Sequence, residues 1–347
     1  MRVFVTGAGG FLGGWVVESF SLAGVPVRAG IRNWNTAVRL ARRNSDVVRC
    51  DILSPDDVTS AIEGCDAIVH CAVGNEEVCV EGTKNVLEAA RRARVRRVVH
   101  LSSVAVYGKV PGTLAETAPR QARGNPYAHY KIRAEEVCEQ YVQQGQPVVI
   151  LRPSIIYGPF SDTWTVSFAA RLMSGSWGTL GSHGEGTCNL VYVTDVVQAI
   201  YRALVTPGIE GRTYNVNGAE LPTWNEFFSR YYAALGCGEL GPKSVTPMLL
   251  KAKLLSPVRN VARFALNRFG SKISRLHARS SLAARYMNST ESSLKLTPTP
   301  EQLKLYRVRA EYVIDQARQD LGYTPLVGVD EGLRQSVAWL KAYGVVY

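Results

Sequence analysis

The chain has 347 residues, 46% of them hydrophobic and 20% charged, with a formal net charge of +11, the make-up of a soluble globular chain of one large or two modest domains. No apolar tract of about 18 residues or more occurs, and the first strand begins at residue 2 with no charged region and cleavage site before it, so no membrane span or secretory leader is expected and the expected location is cytoplasmic. Seven cysteines (50, 65, 71, 79, 138, 188, 237) are scattered without CxxC or Cys/His spacing, which argues for reduced, mostly core thiols and against a disulfide framework or a metal.

In chain order, Met1 to Thr6 form a short apolar strand that runs into glycines at 7, 10 and 13. Phe11, Leu12, Val16, Val17 and Phe20 then repeat at helical spacing, so the turn opens a helix. Glycine suits such a turn because the backbone must bend tightly, approach a pyrophosphate without a Cβ, and let helix and strand pack closely. Phosphates then rest on the free N–H groups of the helix N-terminus. Thr6, Gly7, Gly10, Phe11, Leu12 and Gly13 are therefore candidate dinucleotide contacts. Strands are expected near 2–6, 26–31, 47–50, 66–70, 97–102 and 147–152, and helices over 11–23, 35–43, 55–63, 81–93 and 126–143. This alternation predicts an α/β, Rossmann-type doubly wound parallel sheet with the cofactor across the carboxyl ends of its strands.

At the end of the second strand, where an NAD site places Asp or Glu on the ribose 2′-hydroxyl, the chain has Arg32. A guanidinium can hold a 2′-phosphate, which favours NADP(H) over NAD(H); the alternative is a solvated arginine. Asp51 either takes the adenine amino group or starts the turn before Ser54-Pro55. Tyr127 and Lys131 are four apart on a predicted helix and so share a face. A phenol ionises near pH ~10, and an ammonium within ~4–6 Å favours its phenolate form. Ser103, at the fifth strand's end, offers a hydroxyl for a carbonyl or alcohol oxygen.

These residues resemble the extended short-chain dehydrogenase/reductases. The matching segments are Thr6-Gly-Ala-Gly-Gly-Phe-Leu-Gly13, His70-Cys-Ala72, Ser102-Ser-Val-Ala-Val-Tyr-Gly108, Tyr127-x-x-x-Lys131, Arg152-Pro-Ser-Ile-Ile-Tyr-Gly-Pro159, Val191-Tyr-Val-Thr-Asp195 and Tyr214-Asn-Val216. The resemblance implies Ser103, Tyr127 and Lys131 as the catalytic triad, with Tyr127 and Lys131 also on the cofactor. It further implies Ile52, Cys71, Ala72, Pro153 and Ile155 as cofactor contacts, and Val104 and Tyr157, beside Ser103 and Tyr127, as substrate contacts. One departure stands where the family often has Asn: the chain reads Val78-Cys-Val-Glu-Gly-Thr83, so a proton relay through that Asn is not expected.

The family's scaffold carries several chemistries. Sugar 4,6-dehydratases have an acidic pair where this chain has Val104 and Ala105, and nucleotide-sugar epimerases have Asn where it has Ile155. The expected function is an NADP(H)-dependent oxidoreductase interconverting a ketone and a secondary alcohol. The alternatives are a nucleotide-sugar 4-epimerase with the same triad, and a catalytically silent redox-sensing binding module, which the complete triad disfavours.

Residues 1–157, rejoined at about 188–218, are expected to form the dinucleotide-binding domain, and 158–187 with 219–347 a substrate-binding lobe. Within that lobe, 243–288 holds ten Lys/Arg and no Asp or Glu. Val258, Val261, Ala265, Phe269, Ile273 and Leu276 fall on one helical face there, which suits a membrane surface or an anionic ligand, or else a solvated face over a core stripe. Expected partners are a small-molecule substrate, anionic or lipid-like, a peripheral membrane contact through 243–288, and a second copy of the chain. Nucleic acid is not expected, because no recognition module accompanies the charge.

Overall fold

Seven parallel strands in the order β10-β7-β5-β4-β1-β2-β3 make the central sheet of the computed structural model, which describes residues 1–42, 45–255, 257 and 296–346. These strands are β1 (Val3–Thr6), β2 (Val27–Ile31), β3 (Asp46–Arg49), β4 (Ala67–His70), β5 (Arg97–Leu101), β7 (Val148–Pro153) and β10 (Thr213–Val216). Two small parallel pairs accompany them, β6 (Gly112–Leu114) with β11 (Ala310–Tyr312) and β8 (Ile155–Tyr157) with β9 (Leu190–Tyr192). From β1 the chain steps outward to β2 and β3, then returns to build β4 and beyond on the other side. The order therefore reverses between β1 and β4, and the carboxyl ends of these two strands flank the crevice where doubly wound sheets bind ligands.

The chain divides into two compact units. The first comprises Met1–Tyr157, Asn189–Leu221 and Ala310–Val329; its last segment lies within the stretch expected as substrate lobe. Its sheet is covered on both faces, which is why the strands read as continuous apolar runs. Val3 and Val5 pack into one core with Val16, Val17 and Phe20 of α1 (Phe11–Leu22), and Phe4, pointing the other way, packs with Val58 and Ile62 of α2 (Pro55–Ile62) and Val86 and Leu87 of α3 (Glu76–Arg92). Each such side chain, fully buried, contributes about 1.5–3 kcal/mol. Helices α4 (Pro126–Gln143) and α6 (Val193–Val205) belong to the same unit.

Three expectations change. No helix spans 35–43; two short 3-10 turns, Trp34–Thr36 and Leu40–Arg42, stand there instead, and the Thr36 hydroxyl donates to the Asn33 carbonyl (2.7 Å), a local bond that competes with a continuing helix. The third helix starts at Glu76, earlier than expected, because Asn75 accepts from the Val78 N–H and caps it, with Glu76 and Glu77 in the first turn. A seventh strand, β10, forms at Tyr214-Asn215-Val216, a segment too short to signal a strand by its own pattern.

The second unit comprises Gly158–Cys188, Pro222–Arg309 and Asp330–Tyr347. Its core is aromatic: Phe168 of α5 (Ser167–Met173), Trp224, Phe227 and Phe228 of α7 (Trp224–Ala234), Trp177 and Tyr306 interlock, with the Trp224 and Tyr306 rings 4.5 Å apart. Thr223 and Glu226 close a capping box that starts α7. Ser256 and residues 258–288 of the basic stretch, including the six face-forming residues named above, lie outside the described residues. No helix among the described residues is long and apolar enough to cross a membrane.

Candidate active site

The glycine turn sits at the carboxyl end of β1. Gly7 has φ +64°, and a Cβ there would lie 2.8 Å from the Ala72 Cα; one on Gly13 would lie 2.3 Å from the Gly7 carbonyl oxygen. The turn closes through the Gly10 N–H donating to the Gly7 carbonyl (2.9 Å) and is tied to β2 by the Ala8 N–H on the Gly30 carbonyl (3.1 Å). Gly10 begins α1 in extended conformation, with no side-chain cap and no acidic residue in the first turn. The leading N–H groups of the helix are thus left to an anion, and the residues present fit a pyrophosphate.

Arg32 is exposed directly after β2, on a loop that leans on the glycine turn, since a Cβ on Gly9 would lie 2.2 Å from the Thr36 hydroxyl oxygen. A second arginine without a sequence signal, Arg39, reaches the start of α1, its Nη1 donating to the Phe11 carbonyl (3.5 Å). Arg39 pairs with Glu18 (2.9 Å) and lies 4.9 Å over the Trp15 ring, both on α1. Asp51 accepts from the Leu53 N–H (3.1 Å), the turn-forming role its sequence position allowed. Ile52 is buried, its side chain against Gly82 of α3. Cys71 and Ala72 follow β4, beside the glycine turn.

Ser103 follows β5 and heads a 3-10 turn, Val104–Tyr107; its Oγ accepts from the Ala105 N–H (3.2 Å), leaving its own proton to donate. Tyr127 lies in the first turn of α4, which Asn125 caps by accepting from the Tyr127 N–H (3.1 Å). Tyr127 is 40% exposed, whereas Lys131, one turn on, is 4% exposed and donates from Nζ to the Leu101 carbonyl (2.6 Å). Lys131 thus ties the helix that carries Tyr127 to the strand end that carries Ser103. Pro153 ends β7 and is buried, Ile155 begins β8 half-buried, and Val104 and Tyr157 are buried.

Beneath these residues lies a charge network the sequence did not announce. Arg152 of β7 donates to both Glu135 oxygens (2.9 and 2.7 Å), to the Tyr107 hydroxyl (2.8 Å) and to the Glu116 carbonyl (2.9 Å). The Tyr107 hydroxyl in turn donates to Asn215 Oδ1 of β10 (2.7 Å). Glu135 follows Lys131 by one turn, so α4 presents Tyr127, Lys131 and Glu135 along one face. Burial opposes ionisation of Glu135, but the hydrogen bonds and charge of Arg152 outweigh it and hold the carboxyl below its usual range.

A parallel sheet reversing at a glycine turn, with Ser, Tyr and Lys around the neighbouring strand ends, defines a dinucleotide-dependent enzyme of the extended short-chain dehydrogenase/reductase class. The chain belongs to the NAD dependent epimerase/dehydratase family, whose description matches residues 3–217. It is 26% identical to the 2-alkyl-3-oxoalkanoate reductase of Shewanella oneidensis over 98% of this chain and 86% of that protein. It is 30% identical to cinnamoyl-CoA reductase 1 of Oryza sativa over 71% of this chain and 81% of that one. The crystal structure of UDP-glucuronic acid 4-epimerase from Bacillus cereus, in complex with UDP-glucuronic acid and NAD, shares the fold, with a TM-score of 0.72 and 20% identity over 99% of this chain and 100% of that one.

Proposed function

We propose that this protein is an NADP(H)-dependent oxidoreductase that interconverts a carbonyl and a secondary alcohol, with Ser103, Tyr127 and Lys131 as its acting side chains. The observation that carries this reading is the tie from Lys131 to the Leu101 carbonyl (2.6 Å), which fixes an exposed tyrosine and a strand-end serine hydroxyl to one frame. When bound, the nicotinamide dinucleotide supplies or accepts the hydride. Ser103 donates to the substrate oxygen, Tyr127 gives or takes its proton, and Lys131 provides the positive charge that a developing phenolate needs. Phe11, Leu12 and Gly13 hold the pyrophosphate on their N–H groups, and Arg32 holds a 2′-phosphate.

Reduction is favoured over sugar epimerisation by Ile155, by Arg32, and by the reductase relative that matches along 98% of this chain, and Val104 argues against a sugar dehydratase. The substrate class that fits this reaction and the 2-alkyl-3-oxoalkanoate reductase relative is a β-keto acid, whose ketone becomes a secondary alcohol. Purified protein given NADPH with 3-oxo acids or UDP-sugars separates the readings. A reductase consumes NADPH in step with the carbonyl, whereas an epimerase converts the sugar with no net consumption. Epimerised UDP-sugar at constant NADPH would overturn the proposal.

A further inference from the structure

His70 ends β4 and is 2% exposed, and no catalytic role falls to it in the proposed reaction. Both of its ring nitrogens are engaged: Nδ1 with the Thr6 hydroxyl (2.7 Å) and Nε2 with the Thr83 hydroxyl (3.0 Å). The neighbouring bonds decide where its proton sits. Thr83 has one hydroxyl proton and spends it on the Cys79 carbonyl (2.6 Å), so toward His70 it can only accept, and Nε2 carries the proton. Nδ1 then bears a lone pair and accepts from Thr6, whose oxygen in turn accepts from the Ala72 N–H (3.2 Å). The chain is directional and complete, running from Ala72 through Thr6 to His70, and from His70 through Thr83 to Cys79. Protonating Nδ1 would leave the Thr6 proton without its acceptor inside the core. Burial and the Lys131 charge push ionisation of His70 down to about 3, in keeping with this neutral form.

The partner histidine shows that burial alone does not produce this. His100 stands opposite in register on β5, 5.3 Å away between ring centroids, and neither of its nitrogens has a hydrogen-bond partner among the described residues. Only His70 is wired to its neighbours, and its connections are selective. Thr6 directly precedes Gly7, Ala72 is the residue against which Gly7 packs at the distance of a missing Cβ, and Thr83 is on α3.

We propose that His70 is the positioning residue of the dinucleotide cradle: as a neutral imidazole protonated on Nε2, it sets the glycine turn after β1 against the β4 end, so that both meet the cofactor in one geometry. This rests on the reading of these two segments as the cofactor site. The Thr6 side of the ring is the side that matters for the ligand, and the Thr83 side anchors the ring.

Two variants separate the sides. His70→Asn places an amide oxygen near the position of Nδ1 and keeps the acceptor for Thr6; His70→Gln reaches Thr83 and loses that acceptor. NADPH affinity is measured by fluorescence titration of the full chain, and thermal unfolding is followed without dinucleotide. Both variants should unfold at lower temperature, but only His70→Gln should weaken NADPH, by about three- to tenfold, as loss of one hydrogen bond does. Thr83→Ser against Thr83→Val repeats the test from the other end if neither His70 variant folds: the serine keeps the acceptor for Nε2–H and leaves NADPH affinity unchanged, whereas the valine removes it, shifts the proton to Nδ1 and weakens NADPH. Equal NADPH affinity in wild type, His70→Gln and Thr83→Val, or equal weakening in His70→Asn and His70→Gln, would overturn the proposal while leaving the cofactor reading intact. Absence of NADPH and NADH binding in the wild type would overturn both.

Discussion

Replacing Glu135 by Gln tests whether the network under α4 is a structural clamp. Glu135 is 0% exposed and receives two bonds from Arg152, with a further bond from Arg120 (3.0 Å). The amide is isosteric but uncharged, and it turns an N–H₂ group toward guanidinium donors. Arg152 keeps the Tyr107 hydroxyl and the Glu116 carbonyl, yet its charge is left buried without a counter-charge. Removing one partner of such a pair costs about 3–5 kcal/mol, which urea unfolding followed by circular dichroism at pH 7 resolves as a lower midpoint at unchanged slope. Replacing both Glu135 and Arg152 by Met removes both charges together and should recover part of that loss. The effect is also pH-dependent in a definite direction. Because the folded carboxyl titrates below the ordinary glutamate value of about 4.3, the advantage of wild type over the variant is full above that pH and shrinks as pH falls through the folded value. A loss under about 1 kcal/mol at pH 7, the size of a solvent-exposed ion pair, would refute the reasoning.

Tyr127→Phe should lower turnover by about 10²–10⁴-fold with NADPH affinity unchanged by titration, and full activity in this variant would remove Tyr127 as the proton donor. Arg32→Asp should weaken NADPH by about 1.5–3 kcal/mol and spare NADH, so equal affinities for NADPH before and after the change would return Arg32 to a solvated surface role. Gly13→Ala places a methyl group 2.3 Å from the Gly7 carbonyl oxygen; it should cost about 1–3 kcal/mol of stability and depress binding of both dinucleotides alike, and a variant that binds either one normally would show that the turn can yield.

The sheet's continuous apolar strands, the glycines at 7, 10 and 13, and the Tyr127–Lys131 spacing were legible in the sequence because each is a local signal. A strand buried on both faces needs unbroken hydrophobicity, a tight turn needs residues without Cβ, and two side chains on one helical face need only the helix period. Local chemistry also misled where a side chain competed for the backbone: Thr36 ended a turn that residues 35–43 were expected to continue, and Asn75 began α3 early. What the sequence could not order were the contacts between distant segments. Arg152 and Glu135 are 17 residues apart, Tyr107 and Asn215 are 108 apart, and Thr6 and His70 are 64 apart. Each is a common polar residue with no periodic signature, and its partner is set by which strands become neighbours. By itself the sequence determined that strands and helices alternate after a glycine turn and which residues could carry chemistry. Only the tertiary structure decided that Lys131 would bond the strand end bearing Ser103, that Glu135 would be charged in the core, and which nitrogen of His70 would hold the proton, because buried polar groups take their state from the partners that packing brings to them.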